Sequence, residues 1–179
     1  MKTRTKKCKN CKQPFTPIRS TLEKYCKESE CVSVWVATEK EKQWKKTKAE
    51  KKAELLTLSD HLKLTQMVVN KYIRERDNGK PCISCGKHIN GVRHASHYLS
   101  SGGHSNLRFH EENIWVSCYK CNVMLSSNAI EYRKRLINQI GIERVEWLEE
   151  NGSKVKRWTR EELKEIQEIY KAKIKELCK

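Results

Sequence analysis

Apolar residues recur at helical spacing in several segments of the chain, and the first clear stripe is formed by Leu64, Met67, Val68 and Tyr72. This spacing predicts an amphipathic helix that turns one side towards a hydrophobic core. The sequence from Thr57 to Asp60 resembles a capping box, which predicts that the helix begins there. The turn residues Asp77-Asn78-Gly79 predict its end.

The C-terminal part continues the helical pattern. A stripe through Tyr132, Leu136 and Ile140 is broken at Gly141, and a short helix is predicted from Ile142 to Glu150.

The last helix is clearly marked in the sequence. Thr159 and Glu162 have the spacing of a capping box, and Trp158 and Leu163 stand at the positions of a hydrophobic staple. The apolar stripe of this helix consists of Leu163, Ile166, Tyr170, Ile174 and Leu177. The stripe packs either on the core of the same chain or on another copy of it, and a homodimer is the predicted assembly.

The stretch between these helical segments, residues 81–128, is rich in His, Asn, Gly and Ser. Asn90-Gly91 is a hairpin turn signal, and Ser100 to Ser105 is predicted as a loop. Asn106 to Val116 is predicted as the second extended segment, and the chain is expected to enter a helix beyond Cys121. The predicted unit is a β-hairpin followed by a helix.

Two C-x2-C pairs, Cys82/Cys85 and Cys118/Cys121, lie in this stretch. Four thiolates in two short knuckles predict one structural zinc site, because each knuckle presents two sulfurs about 2.3 Å from one metal without backbone strain. The gap between the pairs exceeds the roughly 15 to 20 residues of a simple zinc ribbon, so the metal is expected to clamp the ends of a larger element. A second zinc site is predicted from Cys8, Cys11, Cys26 and Cys31.

The stretch from Val34 to Leu56 is lysine-rich, contains no Gly or Pro, and is compatible with a helix. A solvated helix or a charged linker explains it as well as dedicated phosphate binding does. The predicted organisation is a four-cysteine finger over residues 1–35, a lysine-rich helix or linker over residues 36–56, and a larger domain with C-terminal helices over residues 57–179.

The charge of the chain predicts a polyanionic partner. Its 179 residues include 38 Lys and Arg against 22 Asp and Glu, a formal net charge of +16 at pH 7. Nucleic acid, duplex DNA included, is the first candidate, because neutralising phosphates releases counterions. A membrane fits poorly without an apolar anchor, and neither a transmembrane run nor a signal peptide is visible. Metal thiolates in a reducing, cytoplasmic setting are expected, with no small-molecule cofactor.

Several residues inside the zinc-bracketed stretch follow the order of the HNH, or ββα-metal (His-Me finger), nuclease motif. A lone His or Asn beside a zinc knuckle usually caps a turn, so it is the joint order that supports the resemblance. In that resemblance His97 is the general base, Asn113 orients it, and Asn122 is a metal ligand on the following helix. The residue before the base often binds the metal, but here it is Ser96. His94 is the candidate substitute, because residues 94 and 96 share a strand face.

Several short sequence motifs resemble those of the NinG/Rap recombination proteins of lambdoid phages. These motifs are YIRERD at 72–77, PCISCG at 81–86, HY at 97–98, LRF at 107–109, CYKCN at 118–122 and RWT at 157–159. The resemblance covers nearly the whole chain. It implies a metal-dependent, structure-specific endonuclease that cuts branched DNA, such as Holliday junctions and D-loops, during phage homologous recombination. The fold class expected is α+β and mainly helical, with a zinc-clamped ββα-metal core in an HNH-like nuclease domain, an N-terminal four-cysteine zinc finger and flanking helices.

In the expected mechanism His97 is neutral at cellular pH and takes a proton from the water that attacks phosphorus. Mg²⁺ or Mn²⁺, held by Asn122 and His94, stabilises charge on the leaving 3′ oxygen. The candidate DNA contacts are Arg108, Lys45, Lys46 and Lys120. Two alternatives stay open: a non-catalytic module that binds branched DNA, and a sequence-specific HNH nuclease of the nicking or restriction type.

Overall fold

The computed structural model describes residues 5–178 of the chain. This part divides into two compact units, one ending at Leu56 and the other beginning at Thr57. The described residues are mainly helical and form two small antiparallel sheets. None of their helices is long and apolar enough to cross a membrane.

The first unit is a small finger that continues into a long helix. Strands β1 (Lys6–Lys7) and β2 (Pro14–Phe15) pair antiparallel, and helix α1 covers Ser29–Glu54. Helix α1 runs through residue 35, so the predicted finger and the lysine-rich segment share one helix. Cys31 is the one buried residue of α1. The exposed remainder carries Glu–Lys pairs one helical turn apart, which stabilise a helix that lacks a core-facing side.

The second unit contains four helices, α2 (Leu58–Arg76), α3 (Ala129–Ile140), α4 (Ile142–Asn151) and α5 (Arg160–Leu177). Both predicted capping boxes are confirmed. The Thr57 hydroxyl accepts a hydrogen bond from the Asp60 backbone N–H, and the Thr159 hydroxyl accepts one from that of Glu162, at 3.2 Å in each case. Each carboxylate accepts in return from the backbone N–H of its threonine.

A two-stranded sheet lies between the helices of the second unit. Strand β3 (His94–His97) pairs antiparallel with β4 (Ile114–Ser117), so that His94 lies opposite Ser117 and His97 lies opposite Ile114. Ala95 and Ile114 face the cluster formed with α2 and α5, whereas Trp115 faces the cluster formed with α3 and α4. Each face of the sheet is therefore covered by its own pair of helices.

The apolar stripe of α5 packs on α2 of the same chain. This decides between the two possibilities that the sequence leaves open for that stripe. The first core cluster consists of Val69, Tyr72, Ile73, Phe109, Ile114, Leu163 and Tyr170. The second consists of Ile83, Leu107, Tyr132, Leu136, Val145 and Leu148. The homodimer stays a prediction, and the stripe of α5 no longer supports it.

The segment predicted as extended from Asn106 to Val116 is mostly irregular. Single helical turns occupy Ser105–Leu107 and Glu111–Asn113, and the strand begins only at Ile114. The physical reason is that Leu107 and Phe109 are buried in different clusters, which a straight strand does not permit because they share its face. Asn90-Gly91 precedes β3, so it does not connect the two strands, which are joined by residues 98–113.

The helix expected directly beyond Cys121 is also interrupted. One π-helical turn covers Lys120–Met124, and the next regular helix begins only at Ala129. Ser126, Ser127 and Asn128 all have positive φ angles and break the helical path between them. The fold therefore has the hairpin and a later helix, but the two are separated by an irregular segment and do not form a continuous ββα-metal core.

Candidate functional site

The four cysteines of the second unit converge on one point. The sulfur atoms of Cys82, Cys85, Cys118 and Cys121 all lie within 4.8 Å of one another. The Sγ atoms of Cys85 and Cys118 are 4.0 Å apart. A tetrahedral zinc ion with bonds of about 2.3 Å requires sulfur separations of about 3.8 Å. The donor set and its spacing therefore fit a structural zinc ion.

The four cysteines of the first unit form a second such cluster. The sulfur atoms of Cys8, Cys11, Cys26 and Cys31 also lie within 4.8 Å of one another, and those of Cys11 and Cys26 are 3.7 Å apart. Among the His, Cys, Asp and Glu side chains of residues 5–178, these two clusters are the groups that converge closely enough to hold a metal. The cysteine sets predicted as zinc sites are thus brought together by the fold.

The first knuckle of each cluster has the same backbone geometry. In one, the N–H of Gly86 donates to the Cys82 carbonyl at 2.8 Å, and the N–H of Cys82 donates to the Lys87 carbonyl at 3.0 Å. In the other, the backbone N–H of Lys12 donates to the Cys8 carbonyl at 3.0 Å, and the N–H of Cys8 donates to the Gln13 carbonyl at 2.8 Å. The residue after the second cysteine has a positive φ in both, +70° for Gly86 and +63° for Lys12. Two separate segments thus adopt one turn that aims two sulfurs at a common point.

The protonation of the thiols also favours a bound cation. Burial raises the pKa of Cys8, but N–H groups of Cys26, Cys11 and Asn10 outweigh burial and bring the pKa to about 6. Similar N–H groups outweigh burial at Cys82 and bring its pKa to about 7. In contrast, burial and the neighbouring thiols raise the pKa of Cys121 far above its ordinary value. A divalent ion removes this conflict, because it stabilises all four thiolates together.

His97, the predicted general base, ends strand β3 with one ring nitrogen engaged. Its Nε2 lies 3.0 Å from the backbone carbonyl oxygen of Arg108. A carbonyl only accepts, so Nε2 carries the proton and Nδ1 keeps its lone pair. Burial lowers the pKa of His97, and the charge of Arg108 lowers it further. The ring is therefore neutral at cellular pH and has one nitrogen able to accept a proton.

The side chain of Asn113 bonds to backbone atoms of the hairpin loop and not to the imidazole of His97. It is fully buried, and its Nδ2 donates to the carbonyls of Leu99 and Leu107 at 2.9 and 3.1 Å. Its Oδ1 accepts from the Leu99 N–H at 2.8 Å. The amide therefore fixes the loop between β3 and β4. That loop also carries Arg108, whose carbonyl the His97 ring contacts, and the orienting role of Asn113 stays a prediction.

His94 and Ser96 lie on the face of β3 opposite His97, as strand alternation requires. The ring of His94 packs against that of Tyr119, with centroids 5.8 Å apart. Tyr119 adjoins the π-helical turn that carries Asn122. Ser96 is fully buried and its hydroxyl contacts that of Ser127 at 3.1 Å. His94 is thus near the Asn122 segment, whereas Ser96 is engaged elsewhere.

Comparison with known proteins decides the family. All residues from 1 to 179 match the family described as Bacteriophage Lambda NinG protein. The chain belongs to the NinG family.

Individual NinG relatives agree with this assignment. Protein ninG of Escherichia phage 933W is 36% identical over 192 residues, which cover 96% of this chain and 93% of that protein. Protein ninG of Escherichia phage lambda is 43% identical over 116 residues, covering 65% of this chain and 56% of that protein. Protein ninG of Salmonella phage P22 is likewise 43% identical, over 65% of this chain and 57% of its own length. No solved structure gives a significant match.

The predicted DNA contacts of this NinG chain lie in different surroundings. Arg108 follows a buried leucine in the hairpin loop, and its Nε donates to the Gln66 side chain at 3.2 Å. Lys120 is exposed on the turn that carries Asn122. Lys45 and Lys46 are exposed on α1 and pair with Glu41 and Glu50 at 2.7 and 3.9 Å. All four cations have exposed surface, and the two on α1 are partly neutralised.

Sequence reasoning missed an ion-pair network that supports this NinG site. It took Asp77 only as the end of a helix, but the carboxylate is completely buried. It accepts from Arg76 at 2.8 and 2.9 Å and from Lys80 at 2.9 Å. Arg76 also donates to the Ile114 carbonyl at 2.9 Å and lies over the ring of Trp115. The YIRERD phrase was the available signal, because adjacent Arg and Asp side chains at a helix end are able to pair.

Proposed function

We propose that this NinG protein is a metal-dependent endonuclease that cuts branched DNA, such as Holliday junctions and D-loops, in phage homologous recombination. The observation that carries the proposal is the state of His97. It is a neutral histidine at the end of a short strand, with Nε2 bound to a backbone carbonyl and Nδ1 left to accept a proton. That combination is what a general base requires.

In the proposed reaction Nδ1 of His97 takes a proton from a water molecule, and the water oxygen attacks the phosphorus. The bond from phosphorus to the 3′ oxygen then breaks. A divalent ion, Mg²⁺ or Mn²⁺, would stabilise charge on that leaving oxygen, and Asn122 and His94 are the residues proposed to hold it. The closeness of His94 to the segment of Asn122 supports this pair. His94 lies on the face of β3 opposite His97, so the substrate phosphate must lie at the edge of the strand to meet both the ion and the base. Oxygen of the substrate phosphate and water complete the shell of an ion held by so few protein groups.

The surrounding residues position the base and the substrate. Asn113 holds the hairpin loop, and the loop places the Arg108 carbonyl against the imidazole. The guanidinium of Arg108 is proposed to bind a phosphate beside the scissile one, because it contacts a neutral glutamine rather than a carboxylate. The net charge of +16 supplies the general attraction to DNA.

A direct test incubates the zinc-loaded protein with a labelled four-way junction and with a linear duplex of matched sequence, in Mg²⁺, in Mn²⁺ or without either metal. The junction should be cut in the presence of either metal and left intact without them, while the structural zinc stays bound. His97→Ala should lower the cleavage rate by about a hundred- to ten-thousand-fold, because it removes the proton acceptor. His88→Ala is the matched control, since His88 is an exposed histidine in the same zinc-bracketed stretch. Parental cleavage by His97→Ala would contradict the proposal.

A second candidate is a non-catalytic module that binds branched DNA. The burial of Ser96 favours it, because the position before the base then offers no metal ligand. Junction binding without cleavage in every metal would support this candidate. Equal cutting of linear duplex and junction would instead support a sequence-specific nicking or restriction-type nuclease.

A further inference from the structure

Large apolar side chains stand exposed on the segment Tyr119–Ile130, which we call the apolar ridge. The exposed fractions are 50% for Val123, 67% for Met124, 46% for Leu125 and 75% for Ile130. Surface apolar residues are ordinary when they are scattered singly. Here they follow one another along a short segment, so the ridge is a feature that requires an explanation.

The backbone of the ridge is held in an unfavourable conformation. Ser126, Ser127 and Asn128 have φ angles of +46°, +72° and +51°, a region that residues with a side chain rarely occupy. The Ser84 hydroxyl donates to the Ser127 carbonyl at 2.7 Å, and the Ser96 hydroxyl meets that of Ser127 at 3.1 Å. These two hydrogen bonds hold the backbone at Ser127 in its left-handed conformation. The exposed apolar side chains just before it are therefore attached to a fixed backbone.

The ridge adjoins the proposed metal ligands, on the face of β3 opposite His97. It begins beside Cys118 and contains Cys121, so the zinc cluster anchors its first turn. Its Tyr119 ring packs on that of His94. Its Ser127 contacts Ser96, the residue directly before His97. A DNA strand bound at the proposed metal ligands would therefore pass next to the exposed side chains.

The charge of the ridge suits DNA. Lys120 is its single charged residue, and there is no Asp or Glu from position 119 to 130. Proteins that distort DNA insert side chains such as Leu, Ile and Met between base steps, while cationic residues hold the phosphates. Inserting a side chain costs least where stacking is already interrupted. A branch point is such a place, because stacking is not continuous through it.

We propose that the apolar ridge is a wedge that inserts Met124 and Leu125 into the unstacked base step at a DNA branch point. This inference rests on the proposed function and deepens it, because it gives the source of the preference for branched over linear DNA. The phosphate contacts would bind linear and branched DNA alike, and the wedge would favour branched DNA because base stacking is interrupted at its branch point.

The test uses a four-way junction with 2-aminopurine at the branch point and the zinc-loaded protein, without added Mg²⁺ or Mn²⁺, so that binding is measured without cleavage and the structural zinc is kept. The parent protein should raise the 2-aminopurine fluorescence, because the wedge displaces the probe from the neighbouring base of its own arm, on which it still stacks. A protein carrying both Met124→Ser and Leu125→Ser should lose this rise, and its affinity ratio of junction to duplex should fall by about tenfold. Val155→Ser is the control, because Val155 is 85% exposed and lies outside the ridge.

The outcomes separate this proposal from the proposed function. A fluorescence rise without cleavage in metal would support the wedge and overturn the nuclease. If the parent cleaves junctions and the double variant shows the same fluorescence rise and the same junction preference as the parent, the wedge is overturned and the nuclease is not. A change in sedimentation of the double variant would also overturn it, because the ridge would then join two copies of the chain. Ile130→Ser, with zinc content measured, repeats the test at a second ridge position if the double variant folds poorly.

Discussion

Replacing Asp77 with Ala should be among the most destabilising changes in the second unit. The carboxylate is completely buried and accepts from Arg76 and Lys80, and also from the Val116 backbone N–H at 3.3 Å. Truncation leaves the buried Val116 N–H without a partner, which alone costs about 1 to 3 kcal/mol. It also leaves the guanidinium of Arg76 unneutralised. Breaking a buried ion pair from one side costs about 3 to 5 kcal/mol in total, and we expect that loss in the free energy of unfolding.

The assay is urea unfolding of the full chain with zinc in excess, followed by tryptophan fluorescence. Asp77→Asn should lie between the parent and Asp77→Ala, because it keeps hydrogen-bonding atoms and loses the charge. Glu165→Ala is the control, since Glu165 is an exposed acid on α5 and should change stability by less than about 0.5 kcal/mol. A loss below about 1 kcal/mol for Asp77→Ala would refute the assigned role of this network.

The pH dependence of this loss has a definite sign. Burial raises the pKa of Asp77, but the bonds from Arg76 and Lys80 outweigh burial and lower it. A lowered pKa means that the stabilisation is complete above the unfolded-state pKa of about 3.9 and disappears as the pH falls through the folded-state value. The difference between parent and Asp77→Ala should therefore stay constant from pH 8 to about 5 and shrink below about 4. Loss of zinc at low pH affects both proteins, so it largely cancels in the difference.

Three further results are expected. Metal analysis should find close to two zinc ions per chain, one for each four-cysteine cluster, with Cys178 free, and a value near one would remove the N-terminal site. Because burial lowers the pKa of His97, the cleavage rate should fall only below the ordinary histidine pKa of about 6.5, and a rate that falls above it would contradict a neutral base there. Lys12→Gly should raise the stability of the zinc-loaded first unit by about 1 kcal/mol in thermal unfolding, because Lys12 has a φ of +63°.

The features that the sequence predicted well are those that depend on near neighbours. The capping box at Thr159 needs only residues three positions apart, and the two cysteine pairs of each zinc cluster are set by short turns. The stripe of α5 was also visible, but its partner was not. Whether it met α2 or another chain depended on contacts such as the one between Thr65 and the Leu163 carbonyl, at 3.2 Å. The stripe predicted for α2 was partly wrong, because Tyr72 is buried but Leu64 and Met67 are exposed, and the buried side runs through Thr65, Val69 and Ile73. A periodic pattern also carries no information about the surface that buries it.

The candidate site was harder to predict because its partners are distant in sequence and meet through irregular backbone. The partners of Asn113 are backbone atoms of a loop whose path is fixed by the burial of Leu107 and Phe109 in separate clusters. The order of the motif residues suggests an orienting role for Asn113 and gives no information about the path of this loop. The left-handed conformation of residues 126–128 likewise depends on hydrogen bonds from Ser84 and Ser96, which are distant in sequence and cannot be predicted from a local pattern.

Strand β4 explains how these separate features act on one residue. Its first residue, Ile114, lies opposite His97 and has its carbonyl held by Arg76, which Asp77 fixes in place. Its last residue, Ser117, is followed directly by the zinc ligand Cys118. The strand is thus anchored at one end by an ion-pair network and at the other by a four-cysteine cluster. The ring of His97 makes its hydrogen bond to the Arg108 carbonyl in the hairpin loop, so the two anchors of β4 act on the proposed base through the backbone of the sheet. The ion-pair network is the nearer of the two.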